Sequence, residues 1–142
     1  MKKQGSILIE VIASVMILTL ATTFIISASI QNSDILKQRI LLEEVNRAVY
    51  NLTNELKYNM HKEGLEDLLN NGKVGFNYDR EFSKKLLNTD IKDLKQGEDI
   101  EISIIGSDSV GLKLKIEANV KIEKNEVRVE TEFTKSWWMD EI

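Results

Sequence analysis

From Ser6 to Ile30 the chain is apolar or small at almost every position, and Glu10 is the one charge in that run. Beyond it the pattern turns amphipathic. Leu41, Leu42, Val45, Ala48, Val49, Leu52, Leu56 and Met60 recur at helical spacing, with Glu43, Glu44, Arg47, Asn51, Glu55 and Lys57 mostly between them. No proline occurs in the chain, and no glycine lies between Ser6 and Gly64. The pattern predicts one continuous helix from about Ser6 to about Met60, roughly 80 Å long at 1.5 Å per residue, capped by Gly64. Such a helix needs two surroundings: lipid or neighbouring helices for its front half, and the chain's own domain for its back half.

The second clear period is two. Val110, Leu112, Leu114, Ile116, Ala118, Val120 and Ile122 alternate with polar residues, as a strand with one buried face does. Val127, Val129, Thr131 and Phe133 repeat the alternation. A two-residue turn at Lys124-Asn125 would set Ile122 opposite Val127, Val120 opposite Val129 and Ile116 opposite Phe133. Ile100, Ile102 and Ile104 supply a preceding strand, joined through Gly106-Ser107-Asp108-Ser109. The expected fold is α+β: a long N-terminal helix packed on a C-terminal antiparallel β-meander of at least three strands.

Between helix and meander, residues 63–99 show no dominant period. Leu65, Leu68 and Leu69 suit a short helix ending at Asn70-Asn71-Gly72, and Val74 to Tyr78 a short extended piece. Phe82, Leu86, Leu87, Ile91 and Leu94 fit helical turns covering a core edge, and Gln96-Gly97-Glu98-Asp99 reads as a turn. The charges Asp79, Arg80, Glu81, Lys84 and Lys85 read as a solvated face. Of the adjacent Trp137 and Trp138 in the tail, one is expected to seal the sheet edge, and the other can contact a neighbouring subunit.

Composition narrows the chemistry. The net charge of −4 argues against a nucleic-acid-binding surface, which needs clustered Lys and Arg. The absence of cysteine removes disulfides, zinc-thiolate sites and cysteine nucleophiles. His61 is the single histidine and has no companion ligands in the sequence, so a metal site has little support. No phosphate-binding loop and no Ser/His/Asp arrangement is present. The reading is a protein that is not an enzyme and carries no cofactor.

The N-terminus admits three readings. One is a cleaved secretory signal with a small-residue site at Ser27-Ala28-Ser29. Another is a plain signal anchor, oriented with the N-terminus inside by Lys2 and Lys3. In the third, Gly5 is a processing site and Glu10 a functional charge. A carboxylate deep in a membrane segment costs about 2.5–3.5 kcal/mol on insertion scales and marks function by default. The plain alternative places Glu10 near the interface, where the helix dipole favours it.

Lys2-Lys3-Gln4-Gly5 followed by Ser6-Ile7-Leu8-Ile9-Glu10-Val11 resembles the class III signal of type IV prepilins and type II secretion pseudopilins. The match covers about the first 30 residues. Gly5 corresponds to the last leader residue, Ser6 to the first mature residue, and Glu10 to the family's glutamate at the fifth mature position. The resemblance implies that a prepilin peptidase cuts after Gly5 and methylates the amine of Ser6. It divides the chain into a leader (1–5), a membrane and filament-core half-helix (6–30) and an extracytoplasmic domain (31–142), with helix to about 62, connection 63–99, sheet 100–134 and tail 135–142. It implies as partners the peptidase, other pilins or pseudopilins, an inner-membrane assembly platform, and lipid before assembly. It places the chain in the cytoplasmic membrane and then in an extracellular filament. Ser6 in place of the common Phe, and a helix without Pro or Gly, point to a minor rather than a major component. Cleavage would leave 17 basic side chains against 23 acidic ones, a net charge of −6. The competing expectation is a signal-anchored or secreted binding module that does not polymerise.

Overall fold

The structure, a computed structural model, describes the backbone of residues 2–136 and of 138; the side chains of residues 2–4 and 6 fall outside that description. Trp137 lies outside the described residues, as do Met1 and residues 139–142. The fold is α+β, and the described residues form a long N-terminal helix, two short helices and one antiparallel sheet. Helix α1 runs from Lys2 to Asn54, and a π-helical turn, Glu55–Asn59, continues it. Met60 stops it by adopting an extended backbone, while its N–H donates to the Glu55 carbonyl at 3.0 Å. Gly64 is therefore not the cap. It lies inside α2, Lys62–Leu68, which starts after only two residues.

The sheet has four strands in the order β1 (Lys73–Phe76), β2 (Ile100–Ser107), β3 (Gly111–Ile122) and β4 (Asn125–Ser136). The short extended piece at Val74 thus joins the meander as an edge strand, with Val74 opposite Ile102. Helix α3, Phe82–Asn88, and a 3₁₀ turn, Ile91–Asp93, fill the remaining connection. Contacts divide the chain into two units, Met1–Lys37 and Gln38–Ile142. In the second unit, Leu41, Val45, Ala48, Val49, Leu52 and Leu56 form one buried helix face. It joins a single core with Phe76, Ile100, Ile102, Leu112, Leu114, Ile116, Ala118, Val120 and Val127 of the sheet. Phe82, Leu86, Ile91 and Leu94 close that core from the connection, but Leu87 points away and is exposed. Leu42, at the margin of the helix stripe, is exposed as well.

The β3–β4 hairpin differs from the expected pairing by two residues. Its turn is Glu123-Lys124, with Glu123 at φ 54, so Ile122 faces Asn125, Val120 faces Val127, and Leu114 faces Phe133. A shift of two keeps every side chain on its expected face. Charge pairing accounts for the choice. The observed register sets Lys121 opposite Glu126 and Lys115 opposite Glu132. The expected one would have set Glu123 against Glu126 and Lys121 against Arg128, and like charges directly opposite destabilise a ladder. The like-charged pair that remains, Glu117 and Glu130, is bridged by Lys115, 2.9 Å from Glu130. A bulge between Ile104 and Gly106 breaks the phase of β2, and Ile104, still paired with Leu114, is exposed beside it. Val110 precedes β3 and is exposed too.

Close approach fixes two glycines in this sheet, Gly75 in β1 against the Gly97 carbonyl and Gly111 in β3. A Cβ at Gly111 would overlap the Lys135 carbonyl across the ladder. That contact brings the end of β4 to its most buried polar residue. Lys135 is 1% exposed, and its Nζ donates to the carbonyls of Lys57 at 3.1 Å and Met60 at 2.6 Å. The Lys57 carbonyl belongs to the last turn of the long helix, where a helix leaves acceptors without partners and a cation is favoured, and the Met60 carbonyl follows at its cap.

Candidate functional site

The front of α1 is where the chain leaves its apolar side chains uncovered. Ile7, Leu8, Ile9, Val11, Ile12, Val15, Met16, Ile17, Leu18, Leu20, Phe24, Ile25, Ile26 and Ile30 are all more than half exposed. By length and composition this helix can cross a membrane, and none of its apolar window is buried against protein. Four of its hydroxyls are satisfied from within. The hydroxyls of Ser14, Thr19, Thr22 and Thr23 donate to the carbonyls of Glu10, Val15, Leu18 and Thr19, at 2.6–3.0 Å. Hydroxyls bonded back to the preceding turn ask nothing of the solvent, and this is what a hydrocarbon or helix-lined setting requires. Glu10 is the exception. Its carboxylate is exposed on the helix, and it is the one charged residue from Ile7 to Ile30.

Gly5 and Ser6 lie in the same helix, one turn before Glu10. Glycine within a helix costs about 0.5–1 kcal/mol relative to alanine, so its presence calls for a reason. None comes from the fold: Gly5 has helical backbone, is exposed, and a Cβ built on it would meet nothing within 4 Å. Lys2 and Lys3 also have helical backbone, with side chains outside the described residues, as is that of Ser6. The structure therefore places Gly5, Ser6 and Glu10 within two turns of one exposed helix.

Elsewhere several charged groups are paired at the surface. Lys85 holds the Asp79 carboxyl below the ordinary range by a direct hydrogen bond. Lys113 does the same to Asp108 at 3.0 Å, helped by the N–H groups of Val110 and Gly111. On the outer face of the sheet Lys115 lowers Glu117, and Glu117 with Glu130 raises Lys115. His61 is exposed and borders an open groove of about 680 Å³ between the end of the long helix and α3. Among the described residues no group of three or more His, Asp or Glu is arranged to hold a metal ion. Trp138 is exposed. The sequence reading missed Lys135 as a buried residue, although the period of two places it in phase with Val127, Val129 and Phe133. No protein-family model matches the chain, and neither a curated protein nor a solved structure is significantly similar to it.

Proposed function

We propose that this chain is a structural subunit of a type IV pilus or related secretion or competence filament, a minor pilin or pseudopilin, cut after Gly5 by a prepilin peptidase. The observation that carries the reading is the uncovered apolar helix of residues 7–30, whose lone charge sits one turn after a glycine that the fold does not need. An apolar helix of this length finds cover either in a bilayer, whose hydrocarbon core is about 30 Å thick, or among equivalent helices. A peptidase must open the helix at the bond it cuts, and glycine lowers the cost of opening it there. Cutting creates an amine at Ser6. Glu10 then has a positive partner of its own or of an adjacent subunit, the most effective compensation for a carboxylate out of water. On this reading the subunit waits as a single-pass protein of the cytoplasmic membrane with its N-terminus inside. It leaves through the assembly platform by packing its helix against those of other subunits, with Glu10 setting the axial register.

The test is to express the full chain with a prepilin peptidase and determine the mature N-terminus by intact mass and N-terminal sequencing. The expected product starts at Ser6 and carries one added methyl. A start near Ile30, or an uncut chain, would point instead to a secreted or anchored module. Glu10→Ala should still be cut yet fail to enter filaments; normal incorporation would remove its assembly role.

A further inference from the structure

The connection between β1 and α3 carries mixed charges that a sequence alone reads as a solvated face. Folding sorts them. The Asp79 carboxylate turns to Lys85 and also accepts from the Glu81 N–H at 2.9 Å. That leaves Arg80 and Lys84 without ion pairs among the described residues, and α1 brings Arg47 to the same place. The three line a recess of about 180 Å³ with Glu44, Tyr78, Asp79 and Ser83. Its frame is held in place. The Tyr78 N–H donates to Asp99 at 2.9 Å, and the Tyr78 ring packs against Phe82, with centroids 6.2 Å apart. The hydroxyls of Tyr78 and Ser83 have no hydrogen-bond partner among the described residues. Three unpaired cations and two free hydroxyl donors thus meet on a protein whose net charge is −4.

We propose that this recess is a socket for a carboxylate side chain presented by another protein subunit. Two guanidinium groups offer planar forks that match a carboxylate, and the Lys84 ammonium adds a third cation. Size selects the source. Small-molecule sites usually measure about 300–1,000 Å³, whereas this recess suits a single side chain. Glu44 and the already paired Asp79 flank the cations, so a ligand of high negative charge density is opposed where a single carboxylate is accepted. Acidic subunits repel one another, and a local positive socket offsets that repulsion and fixes which surfaces meet. Such a head-to-tail contact between unlike patches is the kind that builds open helical assemblies. The assembly reading supplies only the origin of the carboxylate; the socket itself follows from the recess.

The experiment is an NMR titration of the full chain in non-ionic detergent, with N-acetylglutamate methylamide, its glutamine analogue and inorganic phosphate as separate probes. The glutamate probe should shift the amides of residues 44–47 and 78–84, and the glutamine probe should not. Arg80→Gln with Lys84→Gln, both at exposed positions, should weaken that response about tenfold or more, the equivalent of one strong charge-assisted contact. Arg47→Gln alone provides a second variant, and amides outside these segments report that each variant is folded. Three results overturn the proposal: no response to the glutamate probe, a response unchanged in the variants, or tighter binding of phosphate, which would mark a free-oxyanion site. A chain that passes this titration but is not cut at Ser6 would overturn the assembly reading and leave the socket standing.

Discussion

Replacing Lys135 by Met tests how the end of the long helix is fixed to the sheet. The change keeps an unbranched apolar stem in a site that is 1% exposed, and removes the ammonium from the carbonyls of Lys57 and Met60. Two effects oppose. Burying an ammonium costs several kcal/mol, and an apolar replacement of similar volume avoids that cost. The two carbonyls belong to the backbone and stay where they are, each losing a charge-assisted bond at about 1–3 kcal/mol. The Lys57 carbonyl is a terminal acceptor of the helix, where a cation adds up to about 2 kcal/mol in partly buried geometry. Lys57 and Met60 are half-buried, so water recovers part of the loss. The balance is a destabilisation of about 2 kcal/mol, or a fall in Tm of about 10 °C for a unit of this size. Thermal and urea unfolding of the full chain in detergent measure it, followed by near-UV circular dichroism. Hydrogen exchange should show faster opening at the π-helical turn Glu55–Asn59 than in the middle of β3. Unchanged or raised stability would refute the reasoning, showing that desolvation of the ammonium outweighs its bonds.

Leu52→Ala, at a fully buried position on the helix face, should cost about 2–5 kcal/mol, whereas Leu87→Ala, 77% exposed on α3, should change stability by less than about 0.5 kcal/mol. Equal effects in urea unfolding would contradict the placement of the core. Carboxyl NMR titration should find Asp79, Asp108 and Glu117 all below ordinary carboxylate values, and Lys115→Met should move Glu117 upward. The sign of the pH effect follows: a lowered folded pKa contributes stability above the unfolded value and loses it as pH falls through the folded one. These groups therefore matter only on the acid side, below about pH 4. Lys115 is raised, so its contribution is complete below its unfolded pKa and fades only in strong alkali. Stability between pH 5 and 8 should be flat with respect to all four.

The two hydrophobic periods made the α+β fold legible, because period two and period 3.6 each survive small errors of register. The hairpin shows the limit. Apolar alternation admits both pairings, Val120 with Val127 or with Val129, since each keeps one buried face. The polar positions decide, and Lys121 opposite Glu126 against Lys121 opposite Arg128 is a comparison available from sequence alone. Gly64 misled because glycine commonly ends helices. Here a π turn and the extended backbone of Met60 end the helix four residues earlier. Lys135 was in the inward phase of β4, but its partners lie 75 and 78 residues away, and no local pattern reports such a contact. Arg47 joined Arg80 and Lys84 for the same reason: one comes from the long helix, two from the connection.

The two halves of α1 make the physical case for an external partner. From Leu41 to Leu56 the chain covers its own apolar stripe, and from Ile7 to Ile30 it covers none. A bilayer suffices for the leucines, isoleucines and valines of the front half, and the hydroxyls of Ser14, Thr19, Thr22 and Thr23 are already satisfied by their own helix. Lipid does nothing for Glu10. On the proposed reading a compensating cation appears only when the bond after Gly5 is cut, so processing and the stabilisation of Glu10 are linked. A pair formed within one chain would compensate the charge before assembly and give no gain on joining a filament. A pair formed between chains gains only when two helices pack in register. The measurement that separates them is incorporation of a Glu10→Ala subunit alongside wild-type subunits. Loss of entry with intact processing requires the between-chain pair, and normal entry assigns the pair to a single chain.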